Sequence, residues 1–83
     1  MKVRLKLYAT LGQFLPAGAR RNEIELDVPN DTSVLDLLMR HNVPMDSCHL
    51  ILVNGVFSPP AAAGSAGLKE GDAVAVWPPV AGG

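Results

Sequence analysis

The sequence predicts an α+β roll, a mixed sheet wrapped over one helix with no second layer. Three observations carry that prediction. Two early segments alternate charged and apolar residues, one later segment carries apolar residues at helical spacing, and short apolar runs follow it. A single helical stripe can cover only one face of a sheet, and the charges on the outer faces of the first two strands agree with that.

Taken in order, "KVRLKL" places Val3, Leu5 and Leu7 on one side and Lys2, Arg4 and Lys6 on the other, the period of a half-buried strand. Residues 9–20 carry two glycines and a proline and read as a loop or short irregular turn. "EIELDV" alternates again, with Ile24, Leu26 and Val28 inward and Glu23, Glu25 and Asp27 outward. Paired antiparallel, the two strands set bases against acids, so the acidic row reads as a solvated sheet face. Ser33 with Asp36 three residues on is a capping-box-like start. Val34, Leu35 and Leu38, flanked by Leu37 and Met39, supply the apolar face of the helix. Arg40 and His41 fall in its last turn, where positive charge suits the dipole, and Pro44 is expected to stop it. "LILV" reads as a strand buried on both faces, "NG" at 54–55 as a tight turn into the brief "VFS", and 59–67 as a low-complexity surface loop. "KEGD" turns the chain into a last strand, "AVAVW". The apolar third and fifth strands are expected inside the sheet and the charged second strand toward an edge.

Composition narrows the function classes. Among the 83 residues, 48% are hydrophobic but only four are aromatic, so the core is mainly aliphatic. The lone Cys48 has no partner for an internal disulfide, and with His41 and His49 it makes too small a set for a closed zinc site. Cys48 reads as a packing residue and the histidines as surface or helix-end groups; no metal is expected. A net charge of −1 gives no electrostatic reason to expect nucleic acid or an anionic membrane. The charged first segment is unlike a signal peptide, and no stretch approaches a bilayer span, so a cytoplasmic location is expected.

The stretch "VWPPVAGG" is the most informative. Pro78 and Pro79 lack amide donors, so the strand has to end there, and paired prolines favour a stiff, extended conformation. Six residues from Pro78 to Gly83 reach roughly 20 Å when extended. Gly82 and Gly83 remove every side chain from the last positions, and a chain without Cβ atoms can enter a very narrow channel. What such an arm delivers is the carboxylate of Gly83. A carboxylate is a poor electrophile, so acyl chemistry requires its activation, most simply by ATP to an acyl-adenylate. A sulfur nucleophile then displaces AMP and leaves a thiocarboxylate. The division expected is a folded domain over 1–77 and a reactive tail over 78–83. Trp77, immediately before the arm, is read equally as partly buried core or as an exposed partner contact.

The element order resembles the ubiquitin-like β-grasp fold, and "LVNG", "SVLDLL" and "LKEGDAVAVWPPVAGG" resemble the MoaD/ThiS sulfur carriers, above all the small subunit of molybdopterin synthase. The resemblance implies a mixed sheet of four to five strands packed on one helix, with a flexible C-terminal Gly-Gly tail. It implies that Gly83 carries the thiocarboxylate, and that Gly82, Ala81, Val80 and Pro79, with Pro78 and Trp77 behind them, engage the partner's active site. The implied partners are a ubiquitin-activating-like adenylating enzyme, which consumes the ATP, and the large catalytic subunit of molybdopterin synthase or an equivalent sulfur acceptor. The chain itself is then a co-substrate that binds no cofactor and has no catalytic machinery of its own. Val76 and Trp77 before the prolines, the loop at 59–67 and "FLPAGARRNEIEL" depart from the usual pattern. Thiamine thiazole synthesis or another thiocarboxylate pathway stays open as the destination of the sulfur. So do a ubiquitin-like protein modifier and an interaction module with an inert tail.

Overall fold

A computed structural model describes residues 1–79. Five strands form one mixed sheet in the order β2-β1-β5-β3-β4, where β1 is Lys2–Leu7, β2 Glu23–Asp27, β3 Leu50–Val53, β4 Val56–Phe57 and β5 Ala73–Trp77. The helix α1, Val34–Arg40, connects β2 to β3, and short 3-10 turns occupy Ala9–Phe14, Met45–Ser47 and Pro60–Ala62. β1 and β5 pair in parallel at the centre, and the other pairs are antiparallel. β5 is central, β3 lies inside the sheet and β2 forms an edge, as the charge pattern predicted.

The alternation in β1 sorts the faces cleanly. Val3, Leu5 and Leu7 enter the core with Val34, Leu37, Leu38, Ile51, Val74 and Val76. On the outer face the register sets Lys2 opposite Asp27, Arg4 opposite Glu25 and Lys6 opposite Glu23. Arg4 bridges two of these acids, at 3.0 Å to Glu23 and 3.8 Å to Glu25. Such exposed pairs contribute little each, so their value is mainly to fix the register that buries the apolar set.

The helix begins as the sequence predicts. The Asp36 amide donates to Ser33 Oγ at 3.1 Å, and the Ser33 amide donates to Asp36 Oδ2 at 3.2 Å, which closes the capping box. Its buried face differs from the predicted one: Leu37 joins Val34 and Leu38 in the core, while Leu35 is half-buried. The end differs too. Asn42 adopts a left-handed conformation (φ 61°), its amide donates to Met39 O, and the Val43 amide donates to Leu38 O. This Schellman closure ends the helix before Pro44 can act, because it supplies partners for the orphan carbonyls.

His41 is the C-cap residue. Burial, with the Arg40 charge beside it, lowers its pKa below the usual imidazole value. An imidazole that protonates less readily when folded contributes stability above its unfolded pKa, near 6.5, and loses it as pH falls through the lower folded value. Melting curves across that window are therefore expected to drop less steeply on acidification for His41→Gln than for the parent.

The segment 59–67 is a surface loop, as the sequence predicts, with only Ala63 buried, and it is also tied to the helix. Val34 and Leu35 amides donate to the carbonyls of Ala66 and Ala63, and the Leu68 amide donates to Thr32 O. Ala63 is 1% exposed. The loop thus satisfies helix-start donors that the capping box leaves open. "LILV" is also less enclosed than predicted. Only Ile51 is fully buried, because one helix covers one face and the other face stays open.

Two of the quoted motifs meet at one end of the sheet. Asn54 and Gly55, both at positive φ, make the two-residue turn between β3 and β4. Asn54 Nδ2 donates to Asp72 Oδ1 at 2.8 Å, the Ala73 amide donates to Asn54 Oδ1 at 2.9 Å, and the Lys69 amide donates to Asp72 Oδ2 at 2.8 Å. "LVNG" and "EGD" are therefore halves of one clamp that starts β5 in register. Asn54→Ala removes two hydrogen bonds and puts a Cβ-bearing residue without a polar side chain at φ 53°. It is expected to cost about 1–2 kcal/mol, read as a lower urea midpoint at unchanged slope.

Candidate functional site: the root of the C-terminal arm

β5 is bonded along both sides almost to its end. The Tyr8 amide donates to Val76 O at 3.1 Å, and the His49 amide donates to Trp77 O at 3.0 Å. The next residue, Pro78, has no donor, so pairing stops where the sequence said it must. Pro78 is half-buried and Pro79 exposed; neither belongs to a strand. Val80, Ala81, Gly82 and Gly83, which carry the predicted chemistry, lie outside the described residues.

Trp77 stands on the open face of the sheet, since its neighbour Val76 points into the core. It is half-buried, and its ring stacks on Tyr8 with centroids 4.5 Å apart and planes 10° from parallel. The stack follows from the topology. Leu7 lies opposite Val76 in the parallel β1–β5 pair, so the residues after them fall side by side. Both alternatives for Trp77 thus hold part of the answer: one side packs on Tyr8, and the rest remains open beside the arm. Sequence reasoning missed Tyr8. The signal was available, because Tyr8 continues the outward set of Lys2, Arg4 and Lys6 beyond the last β1 residue.

The other sequence candidates do not gather here. Cys48 is buried, its thiol lies 3.5 Å from Pro44 O, and burial pushes its pKa up, as for an inert packing thiol. His41 caps the helix, and His49 is exposed at the start of β3. Among the described residues no group of three His, Cys, Asp or Glu side chains could hold a metal ion. None of their helices is long and apolar enough to cross a membrane. The arrangement is thus a rigid mount, in which a central strand held on both flanks is braced by an aromatic stack and hands the chain to two prolines.

A mixed five-stranded sheet with parallel central strands over one helix defines a ubiquitin-like β-grasp domain. Residues 1–82 match the model of the Mut7-C ubiquitin family, and the chain belongs to that family. SAMP1 from Haloferax volcanii superimposes with a TM-score of 0.67 at 25% identity, covering 100% of both chains. A Pyrococcus furiosus protein described as molybdopterin converting factor, subunit 1, gives 0.67 at 29% identity over 95% of this chain and 98% of its own. Another structure from H. volcanii, described as small archaeal modifier protein 1, gives 0.65 at 24% identity over 95% and 98%, which speaks to the fold alone. No curated protein matches the chain significantly. The fold is that of the MoaD/ThiS carriers which the motifs resemble.

Proposed function

We propose that this domain is a sulfur carrier whose Gly83 carboxyl is adenylated and then converted to a thiocarboxylate that donates sulfur in molybdopterin synthesis. The observation that carries the reading is the mount: "PPVAGG" follows directly on a central strand fixed through its last residue. Such a base limits the entropy lost when a partner captures the arm. Likeness to the P. furiosus subunit supports the molybdopterin destination.

The chemistry is an adenylyl transfer followed by an acyl substitution. The Gly83 carboxylate attacks the α-phosphorus of ATP, and pyrophosphate leaves. Hydrosulfide then attacks the acyl carbon, AMP leaves, and the resulting thiocarboxylate is the donor. The adenylating enzyme and the large synthase subunit supply the catalysis; this chain supplies the acyl group and the arm. A second reading, attachment of Gly83 to lysines of other proteins, is favoured by the full-length likeness to SAMP1. Intact mass measurement of the protein from its native cells separates them. A carrier is heavier by one oxygen-to-sulfur exchange, whereas a modifier appears as adducts on other chains. A native chain that continues past Gly83 through a peptide bond has no free carboxylate there and would sink both.

A further inference from the structure

The stretch "ARRN", part of a segment that departs from the carrier pattern, has so far had no role. It forms a second two-residue hairpin turn. Arg20 and Glu23 exchange backbone hydrogen bonds at 3.0 Å, and Arg21 (φ 54°) and Asn22 (φ 66°) are both left-handed. Asn is at home in that conformation, but the first position of such a turn ordinarily takes Asn, Asp or Gly, and arginine is strained there. The turn is pinned beside the arm. Asn22 Nδ2 donates to Leu7 O, and the Leu7 amide donates to Asn22 O, both at 3.0 Å, one residue before Tyr8. With β1 between β2 and β5, the β2 end of this turn lies two strand spacings, about 10 Å, from β5, and the exposed Arg20 and Arg21 lie on its outer side and tip.

Lys6 shares this end of the sheet. Its cross-strand neighbour Glu23 is held by Arg4 at 3.0 Å, and among the described residues Lys6, Arg20 and Arg21 form no salt bridge. The acids here are Glu23 and, on the turn before β3, Asp46. At the opposite end Asp27, Asp31, Glu70 and Asp72 meet Lys2, Lys69 and the N-terminal ammonium, which lies 3.6 Å from Asp27, while Arg4, Glu25, Asp36 and Arg40 cancel between them. The small net charge therefore conceals a polarity, with the basic end at the root of the arm.

We infer that the Arg20–Arg21 turn, together with Lys6, steers the arm toward an acidic rim around the channel of the adenylating enzyme that takes it. The inference rests on the carrier reading. Position argues for a protein rim, since a partner that swallows the arm must approach this end closely. Three cations backed by an acidic pole are also a poor match for a polyphosphate chain, whose binders commonly neutralise several phosphates. The left-handed Arg21 is exposed at the tip of this turn, where its charge meets the solvent.

The test is association of the full chain with the adenylating enzyme from the same cells, followed by stopped flow at about 0.01 M and about 1 M salt. Arg21→Gly is expected to melt at the same or a higher temperature yet associate several-fold more slowly at low salt. Arg20→Glu with Arg21→Glu should slow association about tenfold or more, with the gap closing at high salt. Lys69→Glu, a charge reversal at the far end, should slow association much less than reversal of a single arginine of the turn. Parent-like rates for the arginine variants, or an equal effect from Lys69→Glu, would overturn the inference while adenylation of the parent upholds the carrier reading. A parent that neither associates nor is adenylated overturns both. Tight binding of a single-stranded RNA decamer at physiological salt, lost in the arginine variants, would assign the patch to phosphates and overturn the acidic rim.

Discussion

Removal of Gly83 is expected to abolish adenylation and sulfur transfer completely while leaving the melting temperature unchanged. The reasoning joins two separate parts of the chain. Among the described residues the fully buried side chains all lie between Val3 and Val76, and the last strand residue, Trp77, is braced by Tyr8 and by the His49 amide. Among the described residues, burial and hydrogen bonding are concentrated upstream of Pro78. Function, on the carrier reading, resides in one acyl group. Deleting Gly83 moves the carboxylate back by one residue, roughly 3.5 Å of extended chain, and a misplacement far smaller than that disrupts an in-line attack. The measurement is pyrophosphate release with the adenylating enzyme beside a thermal melt. A truncated chain that is still adenylated at the parental rate, or one that unfolds, would contradict the model of a passive mount with a working tip.

How much of this was legible in the sequence depends on which physical signal each element carries. β1 and β2 write their burial into side-chain alternation, and their cross-strand charge pairs fix the register, so both could be read directly. The capping box of α1 was equally plain, because Ser33 and Asp36 act through side chains. What the sequence hid was carried by backbone atoms. The carbonyls of Ala63 and Ala66, which close the helix start, have no residue signature, so the sequence of this surface loop gives no sign that it is tied to the helix. The helix stop was ambiguous for a related reason. Asn42 and Pro44 both interrupt helices, and the nearer residue won by making the Schellman bonds. "LILV" misled because an apolar run does not say how many layers cover it; only Ile51 faces the single helix in full.

The candidate site divides in the same way. Pro78 and Pro79 announce the end of pairing through a missing donor, a covalent fact that any sequence displays. Tyr8 became part of the site only through the parallel β1–β5 pairing, a contact between residues near the two ends of the described chain. The family-like phrases also changed meaning. "LVNG" and "EGD" resembled a carrier, yet Asn54 and Asp72 sit at the end of β5 remote from the arm and hold its register. Resemblance there reports how the mount is built, and only the stretch from Trp77 onward bears on what is delivered.

Leu37→Ala is expected to be among the most damaging single truncations in the domain, and the comparison with its neighbours makes the reason testable. Leu37 is 0% exposed in a core whose one helical layer supplies only Val34, Leu37 and Leu38 as fully buried groups. With no second layer to collapse into the space, truncation leaves most of the cavity open and costs about 2–5 kcal/mol. That is a large part of the roughly 5–15 kcal/mol that holds a small domain together. Leu35→Ala, at a half-buried position, should cost distinctly less, and Met39→Ala, at a residue 61% exposed, almost nothing. Urea titrations of the three variants give the order directly. Equal losses at Leu35 and Leu37 would restore the face that helical spacing first suggested. The predicted order places the load on a side chain of the core that also holds Leu5, Leu7, Val74 and Val76 of β1 and β5, whose pairing sets Tyr8 against Trp77. Partial loss of that packing should therefore be visible as a change in the fluorescence of the single tryptophan before global unfolding is complete.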